Sequence, residues 1–292
     1  MLLVAGYPSQ GLLSAQPAPS ASEQVMAVMV AINAQLEASG ADFRVEKAEY
    51  LTLDTSAEMG RTVFFTDRGN KQLDAHFVPG DPRRGGRTNI SYIVDQAEGA
   101  IDGLTTPQTT AAIDRAMATW QGVNCSDIPI TKQPDFPGLD LGVVEFFHGL
   151  GGLPFPLADI THAGWLPAGI SALILPPNVI AATFTFVFVG GGGPTDIDQN
   201  GKADVAFSEI LYNDNFLWRI NGDVDVETVA LHEAGHGLSQ AHFGALFQTG
   251  ANGKFHFAPK AVMNAGYTGV QQELKGTDNG GHCSIWASWP NN

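Results

Sequence analysis

Six apolar residues, Val25, Met26, Val28, Met29, Ile32 and Leu36, recur at short helical steps near the start of the chain. That spacing lines them up along one side of a helix. Ser20, with Glu23 three residues on, makes a capping box that opens the helix, and Gly40 closes it. The period then shortens, and the runs 43–53, 61–66 and 72–78 read as strands. Residues 89–95 are a further strand. A helix over 106–122 follows, with Ala112, Ile113, Ala116, Met117 and Trp120 as its inward stripe. The segments 142–147 and 160–164 are two more strands.

The run 179–189 is apolar and rich in β-branched and aromatic residues, with Pro176 and Pro177 before it and Gly190–Gly193 after it. It is too short and too interrupted to cross a membrane, which takes about 20 apolar residues. A buried strand fits. Residues 206–213 are the last strand before a helix whose N-cap is Asp225, and 277–286 form a closing helix. The sum is an α+β chain. A loose terminus (1–22) leads into a small α+β region (23–80). A linker at 81–88, broken by proline and glycine and carrying the dibasic step Arg83-Arg84, then leads to a main domain at 89–292.

The chemistry concentrates in Val229-Ala-Leu-His-Glu-Ala-Gly-His-Gly-Leu-Ser-Gln-Ala-His242. His232 and His236 are four residues apart, so on a helix they project from one face, a turn apart. Two neutral imidazoles so placed can fill two corners of a tetrahedral zinc site. Glu233 sits beside such a metal as base rather than as ligand. His242 falls on another face and reaches the metal only if the chain turns sharply after Leu238. Three histidines would leave the fourth position open, the arrangement of a catalytic zinc site.

His232, Glu233, His236 and His242 resemble the metzincin clan of zinc peptidases, whose signature is H-E-x-x-H-x-x-G-x-x-H followed by a Met-turn. Ser239 stands where the clan has glycine, at a turn where another residue costs on the order of 1–3 kcal/mol. Downstream, Ala261-Val-Met-Asn-Ala-Gly-Tyr267 is similar to the Met-turn of the matrixin branch. The resemblance implies a metzincin-like domain with a mixed, twisted sheet, an active-site helix and Met263 beneath the zinc. It places Ala265 and Tyr267 in the wall of a substrate pocket. It also makes 160–164, with Ile160, Thr161, His162 and Ala163, an edge strand on which an extended substrate pairs. Of a second, structural zinc site only His148 and His162 match, with Leu150 and Ala206 in place of the other ligands, and two ligands do not close such a site. Pro82-Arg83-Arg84-Gly85 replaces the Pro-Arg-Cys-Gly of matrixin zymogens, so the inhibitory thiolate is missing. Residues 1–84 read either as a propeptide without that device or as an accessory region that stays attached.

A net charge of −15 argues against nucleic acid, whose phosphates would be repelled, and suits bound cations. Asp196, Asp198, Asn200 and Asp204 are spaced like the start of a calcium loop, with Gly201 at the turn and Phe207 where a full EF-hand has glutamate. A solvated polar turn is the alternative. The two cysteines, Cys125 and Cys283, lack metal-type spacing and suit either one disulfide or two buried thiols. The resemblance to exported peptidases favours the disulfide. The opening Met1-Leu-Leu-Val-Ala-Gly is apolar without a basic n-region, a poor signal peptide as it stands.

The expected function is peptide-bond hydrolysis of protein or peptide substrates through a zinc-bound water activated by Glu233, in a secreted, monomeric protein. The alternative from another class is a secreted zinc-containing binding module without peptidase activity. A third reading, with Glu273 as the last zinc ligand, accounts for neither His242 nor Met263.

Overall fold

The computed structural model describes residues 18–67, 69, 75–167 and 169–291. The expectations for 1–17 and for the strand positions 72–74 lie outside these. The described chain runs α1 (Ala21–Ser39), β1 (Phe43–Leu53), β2 (Arg61–Phe64), β3 (Ala75–His76), β4 (Ile90–Val94), α2 (Thr106–Gln121), β5 (Ile130–Lys132), α3 (Val143–His148), β6 (Ile160–Leu166) and α4 (Ser171–Ile174). It continues with β7 (Val179–Gly190), β8 (Gly193–Pro194), β9 (Ala203–Asn213), β10 (Trp218–Arg219), β11 (Val224–Asp225), α5 (Val226–Gly237), β12 (Ala245–Gln248), β13 (Phe255–Ala258), β14 (Gly266–Tyr267) and α6 (Gly276–Trp286). The fold is α+β, with six α-helices among the described residues around one large mixed sheet.

That sheet has the order β14-β1-β7-β9-β6-β4-β5, with β2, β3 and β8 on side branches. β4, β5, β6 and β9 run parallel, while β7 runs antiparallel to both β9 and β1. On one face α1 packs Val25, Met29, Ile32 and Leu36 against Ala48, Tyr50, Phe184 and Phe186. On the other, α2 and α5 bury Ile113, Met117, Trp120, Val229 and Leu231 against Leu51, Ile160 and Ile210. The sheet is therefore covered on both sides, which is why β7 and β9 are near-continuously buried runs.

The capping box opens α1 as the spacing predicts: Ser20 N donates to Glu23 Oε2 at 2.7 Å and Glu23 N to Ser20 Oγ at 3.3 Å. Gly40 closes the helix at φ 74°, where a residue without Cβ is unstrained. The buried Asn33 then ties α1 to the sheet, exchanging two hydrogen bonds of 2.8 Å with the backbone of Val45.

Three expectations are corrected. Residues 23–80 are not a unit ahead of the main domain, because β1 is an inner strand of the common sheet. The linker 81–88 is likewise built in: Arg84 is buried, with Nε 3.0 Å from Asp159 Oδ1 and Nη1 donating to Val78 O at 3.0 Å. Segment 142–147 is the helix α3 rather than a strand, because the buried Glu209 carboxylate accepts the N–H groups of Val143 and Val144 at 2.5 and 3.0 Å. That cap comes from a distant strand, so the local pattern carries no sign of it.

Candidate metal centre

Asp225 caps α5, its Oδ2 accepting from Thr228 N at 2.9 Å. The whole helix is buried. Its glycines are there for close approach: a Cβ on Gly235 would lie 2.3 Å from Met263 Sδ, and one on Gly237 would lie 3.2 Å from Ile160. Met263 thus packs directly under the helix. Its own turn is held by Asp278, which accepts Val262 N and Met263 N at 3.1 and 3.0 Å. After Leu238, Ser239 takes φ 66° and reverses the chain, which carries His242 back over the helix.

The three imidazoles converge. Nε2 of His236 lies 3.0 Å from that of His232 and 3.1 Å from that of His242, and the third side of the triangle is 3.2 Å. His232 Nδ1 donates to Val262 O, and His236 Nδ1 donates to Gln240 O, each at 2.7 Å. A carbonyl only accepts, so those protons sit on Nδ1 and the Nε2 lone pairs face inward. Burial lowers the His232 pKa to about 3 and holds that of His242 well below its usual range, so both are neutral, as ligation requires. Lone pairs facing one another at this separation repel unless a cation lies among them. The triangle leaves a point roughly 2 Å from all three nitrogens, the zinc–imidazole distance. These residues fit a zinc ion.

Glu233 is fully buried. Its Oε2 accepts a 2.7 Å hydrogen bond from Thr183 Oγ1, and its Oε1 has no hydrogen-bond partner among the described residues. Burial pushes its pKa up to about 7, against the pull of His236 and Thr183.

Two residues missed by the sequence reading complete the surroundings. Glu49, on β1, places Oε2 3.3 Å from His236 Nδ1 and 2.8 Å from Lys47 Nζ, with both side chains buried. Burial raises the pKa of Glu49, but His236 and Lys47 outweigh it and hold the carboxyl well below its usual range. The only sequence signal was a strand face reading Lys47, Glu49, Leu51, with opposite charges where an inward face is normally apolar. β1 thereby closes the centre on one side, between β7 and β14. A surface recess lined by His76, Lys202, Phe243 and Ile285 reaches His242 on another side.

The substrate-pocket expectations fare differently. β6 is not an edge strand. It bonds to β4 on one side and β9 on the other, and Ile160, Thr161, His162 and Ala163 are all buried. With both backbone edges taken, no peptide can add there. His162 instead stacks on Tyr212 and bonds its hydroxyl at 2.7 Å. Tyr267, on β14, accepts from Asp225 N at 2.9 Å and donates to Asp223 O at 2.7 Å, bracing the start of α5. The Ala265 carbonyl accepts Gly60 N at 3.0 Å.

Asp196, Asp198 and Asp204 each bring one carboxylate oxygen within 4.8 Å of the others. Asp204 is buried and engaged by Arg83 Nη2 at 2.8 Å, whereas Asp196 and Asp198 are exposed. Asn200 bonds Asp198 Oδ2 through Nδ2 at 3.0 Å. Cys125 and Cys283 are disulfide-bonded, joining the end of α2 to α6. No described helix is long and apolar enough to cross a membrane. No family model and no curated protein matches this chain.

Proposed function

We propose that the chain is a zinc-dependent endopeptidase of the matrixin-like metzincin type, acting on protein or peptide substrates. The supporting observation is the inward convergence of the three imidazole Nε2 atoms beside a carboxylate whose second oxygen has no hydrogen-bond partner among the described residues. His232, His236 and His242 hold the metal, and the carbonyls of Val262 and Gln240 keep two of the rings turned toward it. Zinc bound there supplies Lewis-acid polarisation of the scissile carbonyl and acidifies water. Thr183 orients Glu233, leaving Oε1 to take a proton and return it to the leaving amine. The reading includes calcium at Asp196, Asp198, Asn200 and Asp204, export, and a monomeric state.

One observation favours a second reading, a zinc-containing binding module: Glu233, His232 and His236 are covered, with β1 on one side. Two variants separate the readings when zinc content and hydrolysis of an unstructured protein are both measured. Under the peptidase reading Glu233→Ala keeps about one zinc per chain and loses ~10²–10⁴-fold in hydrolysis, while His236→Ala loses the metal. A wild-type protein that binds zinc, cleaves nothing and is indistinguishable from Glu233→Ala would establish the module instead.

A further inference from the structure

A second group of carboxylates lies on the far side of the sheet from α5, away from the histidines. Glu98 follows β4, Asp140 precedes α3, and Glu145 is in the first turn of α3. One carboxylate oxygen from each lies within 4.8 Å of the other two. Two oxygens on opposite sides of one calcium ion are about 5 Å apart, since each Ca–O bond is about 2.3–2.6 Å. The group has the dimensions of a single coordination sphere.

Its polar atoms are left open in a way ordinary packing does not explain. Glu145 is 1 % exposed and its Oε1 has no hydrogen-bond partner among the described residues, and neither do the buried Glu98 Oε2 and Asp140 Oδ1. The other Asp140 oxygen is used, accepting Gly152 N at 2.9 Å. Nearby carboxylates are saturated: Asp95 accepts Glu98 N and Leu141 N, each at 2.6 Å, and Glu209 caps α3. Asp95 thereby holds together the two loops that bring Glu98 and Asp140. No ion pair among the described residues reaches Glu98, Asp140 or Glu145. Burial and mutual repulsion accordingly push Glu145 up to about 10 and Glu98 up to about 7.

A buried carboxylate resolves this in one of two ways: it binds a proton, or it binds a metal. A proton on Glu145 supplies one donor and so answers at most one of the unpaired oxygens of Glu98 and Asp140. Hard oxygen donors without histidine or sulfur select a hard cation rather than zinc. We infer that Glu98, Asp140 and Glu145 hold one calcium ion, which bridges the loop after β4 to the start of α3. The site is separate from the loop 196–204 and independent of the zinc reading.

The experiment uses the full chain, stripped of divalent ions, with thermal unfolding and titration calorimetry against calcium chloride alone. An Asp198→Ala background removes the response of the other loop. Expected there are a rise of several degrees in midpoint at millimolar calcium and one bound ion per chain. Adding Glu145→Gln should abolish both. Because glutamine resembles the protonated acid in shape, this variant should fold without calcium and melt no lower than its parent. Asp140→Asn, read by calorimetry, provides the same test through a second donor. An Asp198→Ala protein with no calcium response would overturn the inference, as would a response that survives both Glu145→Gln and Asp140→Asn. An equal response to magnesium would overturn the calcium assignment.

Discussion

Arg84→Met tests whether the segment between β3 and β4 is part of the fold. Arg84 makes four contacts: Asp159 Oδ1 at 3.0 Å, Val78 O at 3.0 Å, Asn89 O at 3.2 Å, and the face of Phe77 at 4.6 Å. Methionine can keep the apolar stem against Phe77 but takes a donor from the carbonyls of Val78 and Asn89 and one of the two arginines from Asp159 Oδ1. Breaking a buried pair by removing one partner costs about 3–5 kcal/mol. Asp159 still keeps Arg87 at 2.8 Å and Ser91 N at 2.8 Å, so the low end, about 3 kcal/mol, is expected. With an unfolding entropy of about 2.1 cal/mol/K per residue, that is a fall of about 5 °C in midpoint. The pH dependence has a definite sign. Burial raises the Asp159 carboxyl, but Arg84 and Ser91 outweigh it and hold the pKa below its usual value. The resulting stability is present above the unfolded pKa of about 3.9 and is lost as pH falls through the folded value. In urea unfolding followed by tryptophan fluorescence, the gap between variant and wild type should be widest near neutrality and narrow in acid. A loss under about 1 kcal/mol, a gap independent of pH, or full additivity with Asp159→Asn would each refute the reasoning.

Replacing Cys125 and Cys283 by serine opens a loop of 158 residues, worth up to about 5 kcal/mol in the chain-entropy account. Denaturant unfolding of the oxidised wild type and the variant should show most of that loss, and identical midpoints would rule it out. Ser239→Gly relieves a non-glycine residue at φ 66° and should stabilise by about 1 kcal/mol. A drop in stability or zinc content would instead reveal a role for the serine hydroxyl. Asp198→Ala should remove the calcium response of the loop 196–204, detected as a lost binding step in titration calorimetry; an unaltered two-step titration would exclude that loop.

Local patterns carried much of the fold. The boundaries of α1, β1 and α2 follow from caps and periodicity, and the helix carrying His232 and His236 from a spacing that leaves few alternatives. What the sequence could not reveal depends on partners far along the chain. α3 is helical because Glu209, more than sixty residues later, caps it. The resemblance made β6 a free edge, yet β4 and β9 take both sides, and order within a sheet is not written in any one strand. Glu49 reaches His236 only because β1 slots beside β7, a crossing that no local window contains. The acidic group around Glu145 is drawn from three segments, each with only one or two charges.

The placement of β1 has a consequence for anything that would pair with β7. The edge a free peptide needs is held by a strand belonging to the same chain, so the contest is between bulk concentration and tethered concentration. A short tether keeps its segment at an effective concentration on the order of millimolar, and a free peptide more dilute than that loses at equal affinity. Cutting the chain between β2 and β3 would turn a unimolecular closure into a bimolecular one that dilution can undo.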